Sequence, residues 1–208
     1  RKDGSTVGSI GTVDGDLNVF ASASGHKGLR FGNGYIAPTS NSTSIQDATT
    51  DLGLSTHRFK DLYLSGGVYL GGTVAANKLD DYEEGTFTLT WSGTGGTANS
   101  TNTMSYVKVG SRVTINGNTS SAVPNATGTL ELTGLPFAAS DDAVGAMLYR
   151  RMTPPSGSHN LVMYIGSGQT KLQPHWASGS DYSALNSSQF AVSGNNDIYF
   201  SVTYQTTA

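Results

Sequence analysis

The apolar positions of this 208-residue chain fall into two regimes. Over the first fifty residues they come in bursts of three to five residues: Leu17 and Val19, Leu29 and Phe31, Tyr35 and Ile36. Each burst ends at Gly, Asn or Pro, and Asp14-Gly15, Gly25-His26, Asn33-Gly34 and Pro38 read as turns. This spacing predicts short β-strands. Glycines interrupt every window in which a helical period could develop. Strands so short cannot form an independently stable sheet. Either residues 1–50 are a Gly/Ser linker, or three copies of the chain wind together and bury each strand's apolar residues against the other two. The regular recurrence of Leu17, Phe20, Leu29, Phe31 and Tyr35 favours the second reading.

From Gly85 onward the alternation lengthens. Thr86–Trp91, Met104–Val109, Arg112–Asn116, Thr129–Gly134, Val144–Arg150, Leu161–Gly166, Gln189–Gly194 and Asp197–Tyr204 each read as a strand, and Val109-Gly110-Ser111-Arg112 as a tight turn. About eight strands at this spacing predict a β-sandwich of jelly-roll type. The expected fold is therefore all-β. A thin, intertwined trimeric β shaft occupies residues 1–50, a collar and linker 51–85, and a sandwich head 86–208.

The densest apolar patch of the N-terminal half is Asp51–Gly72. Thr56 is placed to cap a short helical entry in which Phe59, Leu62 and Tyr63 fall at i, i+3 and i+4. A hairpin is expected to follow: Leu62 and Leu64 run out, Ser65-Gly66-Gly67 turns, and Val68 and Leu70 return.

Composition narrows the class. Hydrophobic residues make up 36% and charged residues 13%, while Gly, Ser and Thr number 27, 26 and 25. A chain so polar yet weakly charged suits a turn-rich β protein that buries apolar surface in an oligomer. The net charge is −3 and the twelve Lys and Arg are scattered, so no basic stripe offers itself to nucleic acid. With no Cys there is no disulfide framework or thiolate chemistry. The opening residues RKDGSTVGSIG lack the apolar core of a signal peptide, and no stretch approaches the roughly 20 apolar residues of a membrane span. Lacking an initiator Met, the chain is expected to be the C-terminal piece of a longer polypeptide.

The run DLGLSTHRFKDLYLSGGVYLGGT, followed by AANKLDDYEEGTFT, resembles the junction of many bacteriophage tail fibres and related tail proteins. There a segment of the form LGs-s-x-R-[FW]-K-D-L-Y-L-S-G precedes LDDYEEGTWTP and a terminal receptor-binding domain. The likeness covers roughly positions 50 to 88. It departs at Leu54, where Ser is common, and at Phe87-Thr88-Leu89, where Trp-Thr-Pro is common. YVKVGSRVTI and TGLPF extend it weakly into the head. The resemblance implies a homotrimeric, extracellular virion protein that joins upstream tail-fibre or baseplate proteins. It transfers no catalytic residue. On this reading Phe59, Leu62, Tyr63, Leu64, Val68 and Leu70 form a collar that buries against neighbouring chains.

Candidate chemistry is sparse. KLDDYEE places four acids within five residues, but not at the spacing of an EF-hand loop. It reads as a solvated linker, with Asp80 and Asp81 the first residues to consider for an axial cation. No metal or cofactor is expected. The head lacks a G-x-S-x-G elbow, and its acids Glu131, Asp141, Asp142, Asp181 and Asp197 suggest no facing pair. His159 and His175 lack the spacing of a local metal site. A non-enzymatic role is expected.

The loop Gln173–Tyr182 offers Trp176, His175 and Tyr182 beside Asp181. Flat rings stack on a pyranose face while carboxylates accept hydroxyl protons. The alternative for Trp176 is a core plug. Adjacent Arg150 and Arg151 suit acidic sugars or phosphate, or an inter-subunit pair with Asp141 or Asp142. The expected function is host attachment by trimeric, multivalent binding to a bacterial surface glycan or outer-membrane receptor. A structural spacer is the alternative, and a tailspike-type depolymerase the remoter one.

Overall fold

The computed structural model describes residues 4, 6–119, 126–190 and 196–207, with the backbone alone over 96–101. The chain divides into two compact units, Arg1–Tyr63 and Leu64–Ala208.

The first unit is an antiparallel meander of β1 (Gly8–Val13), β2 (Asp16–Ala21), β3 (Gly28–Gly32) and β4 (Tyr35–Thr39). The β1–β2 hairpin turns at Asp14 and Gly15, whose φ values of 52° and 88° are those of a type I′ turn. All these strands pair within one chain. Pro38, which the sequence suggests as a turn, instead lies in the edge strand opposite Leu29, where a missing N–H costs no ladder bond. Register aligns the apolar bursts into two rows. Ile10, Val19 and Leu29 are cross-strand neighbours, as are Leu17, Phe31 and Ile36. All six are exposed. The opposite face is mixed: it carries Val13, Phe20 and Tyr35 together with buried Asn18 and Arg30, which pairs with Asp16 at 2.7 Å and Asp14 at 3.3 Å.

The collar takes neither expected form. No helix forms at Thr56, whose hydroxyl instead meets His57 Nδ1 at 2.9 Å. The Leu62–Leu70 hairpin is absent as well. β5 (Val68–Tyr69) pairs with β6 (Lys78–Leu79). Gly67 explains the difference. At φ +87° its backbone passes so near Leu79 and Asp80 that a Cβ would lie 2.6 Å from the Leu79 carbonyl oxygen. The Gly pair thus serves a close crossing rather than a hairpin turn. Phe59, Leu62, Tyr63, Leu64 and Leu70 are exposed in the single chain, and Val68 is half-buried.

The rest of the chain forms one antiparallel barrel-like sheet of eight strands. They are β7 (Tyr82–Gly93), β8 (Gly96–Val109), β9 (Arg112–Thr119), β10 (Leu130–Thr133), β11 (Ala143–Arg150), β12 (Ser158–Ile165), β13 (Lys171–Ser178) and β15 (Asp197–Gln205). Their order is β10-β7-β8-β9-β15-β11-β12-β13, and β13 returns to β10 through Leu132↔Leu172 and Thr133↔Lys171. A short strand β14 (Tyr182–Ala184) extends the outer end of β13. The chain is all-β as expected. The two facing sheets of a sandwich are not separated, because β11 pairs with β12 over Ala143–Gly145 and with β15 over Ala146–Arg150. Gly145 sits at this change of partner, where a Cβ would lie 2.5 Å from the Ser201 carbonyl oxygen. Of the expected strand Gln189–Gly194, Gln189 ends a 3-10 turn and Phe190 bridges Met152; residues 191–194 lie outside the described ones.

Alternation drives Leu89, Trp91, Ile115, Leu132, Met163 and Ile198 into the barrel, where each is fully buried. A charge on the inner face of β8 joins them. Lys108 is 3% exposed, lies 5.5 Å from the centre of the Phe137 ring and forms an ion pair with Asp81. The acidic run is therefore no free linker. Asp80 pairs with Lys78 at 3.0 Å, which holds its carboxyl below the usual range. Glu84 accepts from the Tyr82 hydroxyl at 3.0 Å, and Glu83 accepts from Tyr106.

Two outcomes follow for stability. Asp81→Asn leaves the Lys108 ammonium buried without its counter-charge and should cost about 2–3 kcal/mol in urea melts, whereas Lys108→Met should stay within ~1 kcal/mol of the parent. The Tyr204 hydroxyl donates to the Phe137 carbonyl at 3.1 Å, and burial pushes its pKa up to about 12. A raised phenol pKa favours the neutral form in the folded state. That stability is complete below the unfolded value near 10 and is lost as pH rises through about 12. Ultraviolet titration should show one tyrosine ionising only together with unfolding.

Candidate functional site

β13 determines which of the candidate residues face solvent. Its sequence, KLQPHWAS, buries Leu172, Pro174 and Trp176 and turns Gln173, His175 and Ala177 outward. Pro174 reads as a strand breaker, which is why this segment is expected as a loop. It is accommodated at the junction where β10 gives way to β14. Its carbonyl accepts from the Leu185 N–H at 2.8 Å, so its ring nitrogen lies on that same edge and takes nothing from the ladder with β12.

Trp176 is therefore a core residue rather than a stacking platform. It is 1% exposed, donates from Nε1 to Gln189 Oε1 at 2.8 Å and meets Tyr149 edge-on at 5.0 Å. His175 and Tyr182 remain on the outer face and are joined there by Tyr164. The rings of Tyr164 and His175 are 5.6 Å apart, and those of His175 and Tyr182 5.3 Å apart, both edge-on. Three strands thus supply one aromatic row across the wall. The pairings Val162↔His175 and Ala177↔Tyr182 make its members diagonal neighbours.

The row has defined polar handles. The carbonyl of Gln173 lies 2.9 Å from His175 Nδ1, so Nδ1 carries the proton and Nε2 is left as an acceptor. Burial, and then a hydrogen bond to Asp142, raise the Tyr164 phenol above its ordinary value. Asp181 holds its own turn, with Oδ1 accepting from the Tyr182 N–H at 2.7 Å. Tyr182 is 68% exposed and presents the most open ring of the three.

Beside the row β11 and β12 part. Their ladder ends at Gly145↔Met163, and a cleft of about 420 Å³ opens between Ala146–Tyr149 and His159–Val162. Asn160 stands at this edge, in register with Ala177. The two arginines are not brought to one anion. Arg150 forms its ion pair with Asp197, directly across the ladder, rather than with Asp141 or Asp142. Arg151 turns away with a left-handed φ of 59°. Among the described residues no group of three or more His, Asp or Glu is placed to hold a metal ion. Tyr164 escapes a sequence reading because it falls within an alternating strand, and nothing local shows that β13 lies beside it; Asn160 falls just before the strand expected from Leu161, which in fact starts at Ser158.

The chain matches no protein-family model and no curated protein.

The different placements of the two aromatic residues can be separated by mutation. Trp176→Ala should cost about 3–5 kcal/mol in thermal or chemical denaturation, because it empties a large volume in the core. Tyr182→Ala should leave the melting temperature within about a degree or two of the parent.

Proposed function

We propose that this chain is the terminal, receptor-binding part of a bacteriophage tail fibre: a homotrimer that attaches the virion to a bacterial surface glycan. The observation that carries the reading is the meander's open face. Six large apolar side chains stand in two cross-strand rows on a sheet only one layer thick, each at least 40% exposed. The collar adds Phe59, Leu62, Tyr63, Leu64 and Leu70, all more than half exposed. Exposed apolar surface of this extent on each marks an interface, and self-association is the simplest cover for a meander and collar that each copy repeats. Three chains whose meander faces point at a common axis make a shaft in which each buries what it cannot cover alone.

The head supplies the ligand chemistry. The Tyr164–His175–Tyr182 row offers ring edges and faces, an imidazole acceptor and the carboxylates of Asp142 and Asp181, beside a cleft edged by Asn160. Stacking on a sugar's apolar face with hydrogen bonds to its hydroxyls fits this set. One such site is weak. Three on a rigid fibre raise avidity without any single tight site. This is binding chemistry, and no catalytic role is assigned.

Native mass spectrometry of the full chain should give three copies, and Leu29→Glu with Phe31→Glu should abolish the trimer. Tyr182→Ala in an intact trimer should weaken adsorption to host envelope glycans about tenfold. A monomeric parent chain would overturn the fibre reading. An unchanged affinity in both Tyr182→Ala and His175→Ala trimers would leave a structural spacer.

A further inference from the structure

The two sides of the barrel differ in a way that the attachment reading does not use. Of the seven large apolar side chains exposed on barrel strands among the described residues, six lie on the wall β7-β8-β9-β15-β11: Tyr82, Val107, Val109, Val144, Leu148 and Tyr199. The seventh is Tyr182, on β14 in the aromatic row; Val144 is itself paired with Tyr164 of that row, so the wall borders the row at β11. The centre of this wall is uncharged. Its outward positions are Thr, Ser and Asn in registered rows, such as Thr86–Ser105–Asn116–Ser201. The Thr114 and Thr203 hydroxyls, 3.0 Å apart, satisfy one another. Charge on its exposed side lies toward the strand ends: Glu83, Glu84, Arg112 and the Arg150–Asp197 pair. The opposite side carries the Lys171–Glu131 pair, His175 and Asp181.

We propose that this wall is where the barrels of neighbouring copies meet, so that His175 and Tyr182 of each face outward and the cleft lined by Ala146 and Leu148 lies at the edge of the contact. The inference rests on the trimer reading above and assigns a surface to it. Charge depletion marks the centre of an interface and charge its rim; here the Thr, Ser and Asn rows with Tyr199 form an uncharged centre, while Tyr82, Val107 and Val109 lie at the rim beside Glu84 and Arg112. Size agrees. The six apolar side chains, 40–68% exposed, and the hydroxyls between them offer on the order of 800 Å², the share one partner contributes to a standard interface. Small residues in the middle row, Ser105, Ser201 and Ala146, lie between taller neighbours such as Tyr199 and Val107. A neighbouring wall can therefore approach closely along that trough. A second copy is the occupant that the meander's open face also requires.

The chain has no cysteine, so single replacements report distance without background. Tyr199→Cys and Thr203→Cys, in the full chain treated with a short bismaleimide, should give covalent dimers on denaturing gels. Gln173→Cys on the opposite wall should give at least about tenfold less, and adding Thr203→Arg should suppress the Tyr199→Cys product. Native mass is measured on the same samples. If the mass is trimeric and Gln173→Cys cross-links as well as Tyr199→Cys, the wall assignment falls alone. If the mass is monomeric, the trimer reading falls and takes this inference with it. Sugar binding that is lost in Tyr199→Ala but kept in Tyr182→Ala would also overturn it, by making the wall the ligand face.

Discussion

The head depends on a seam two residue pairs long. Among the described residues β10 and β13 pair through Leu132↔Leu172 and Thr133↔Lys171, and the Leu130 N–H continues the join to the Leu185 carbonyl at 2.8 Å. Lys171 Nζ to Glu131 at 2.7 Å and the Leu135 N–H to the Thr170 carbonyl at 3.0 Å reinforce the join. Without it the sheet is open, with two long edges and an inner face of Leu89, Trp91, Met163 and Trp176 turned to water. Closure converts that face into a core and removes the edges at once. The ladder bonds themselves add little. Their weight comes from the apolar surface that they keep enclosed.

The meander has no such seam. Its four strands do not close, and pairing leaves one mixed face, organised by Arg30 and Asp16, and one apolar face whose side chains stay exposed. The two units therefore meet the same constraint, burial of alternating strands, by different routes. The barrel encloses its apolar side chains within one chain. In the proposed fibre, the meander encloses them among several.

Legibility in the sequence followed the range over which each signal acts. Short-range signals held: alternation located most barrel strands, and Asp14-Gly15 marked a hairpin because both residues must take positive φ. Where a residue's role depended on a distant strand, the sequence misled. Pro174 reads as a breaker until one knows that its ring nitrogen meets the junction of β10 and β14. Gly66-Gly67 reads as a turn until Leu79 and Asp80 are seen against Gly67. Asp81 reads as solvated until Lys108 is found behind it. The candidate site was half legible for the same reason. His175 and Tyr182 were visible as aromatics in a polar segment. Tyr164 is hidden in a strand, and Trp176 stands between stacking platform and core plug until the strand that buries it is recognised.

The position of β15 has a consequence for how the molecule is made. This last strand lies in the middle of the sheet, hydrogen-bonded to β9 on one side and β11 on the other, and its first pairing partner precedes it by some eighty residues. A chain emerging from the ribosome can pair β7 with β8 and β12 with β13, but it carries a gap at the centre of the wall until residues 197–205 arrive. Closing so wide a loop is slow, and exposed strand edges beside the gap invite pairing with another nascent copy. Formation of the head therefore waits for residues 197–205. A truncation of even the final ten residues removes the barrel's central stave rather than trimming its end.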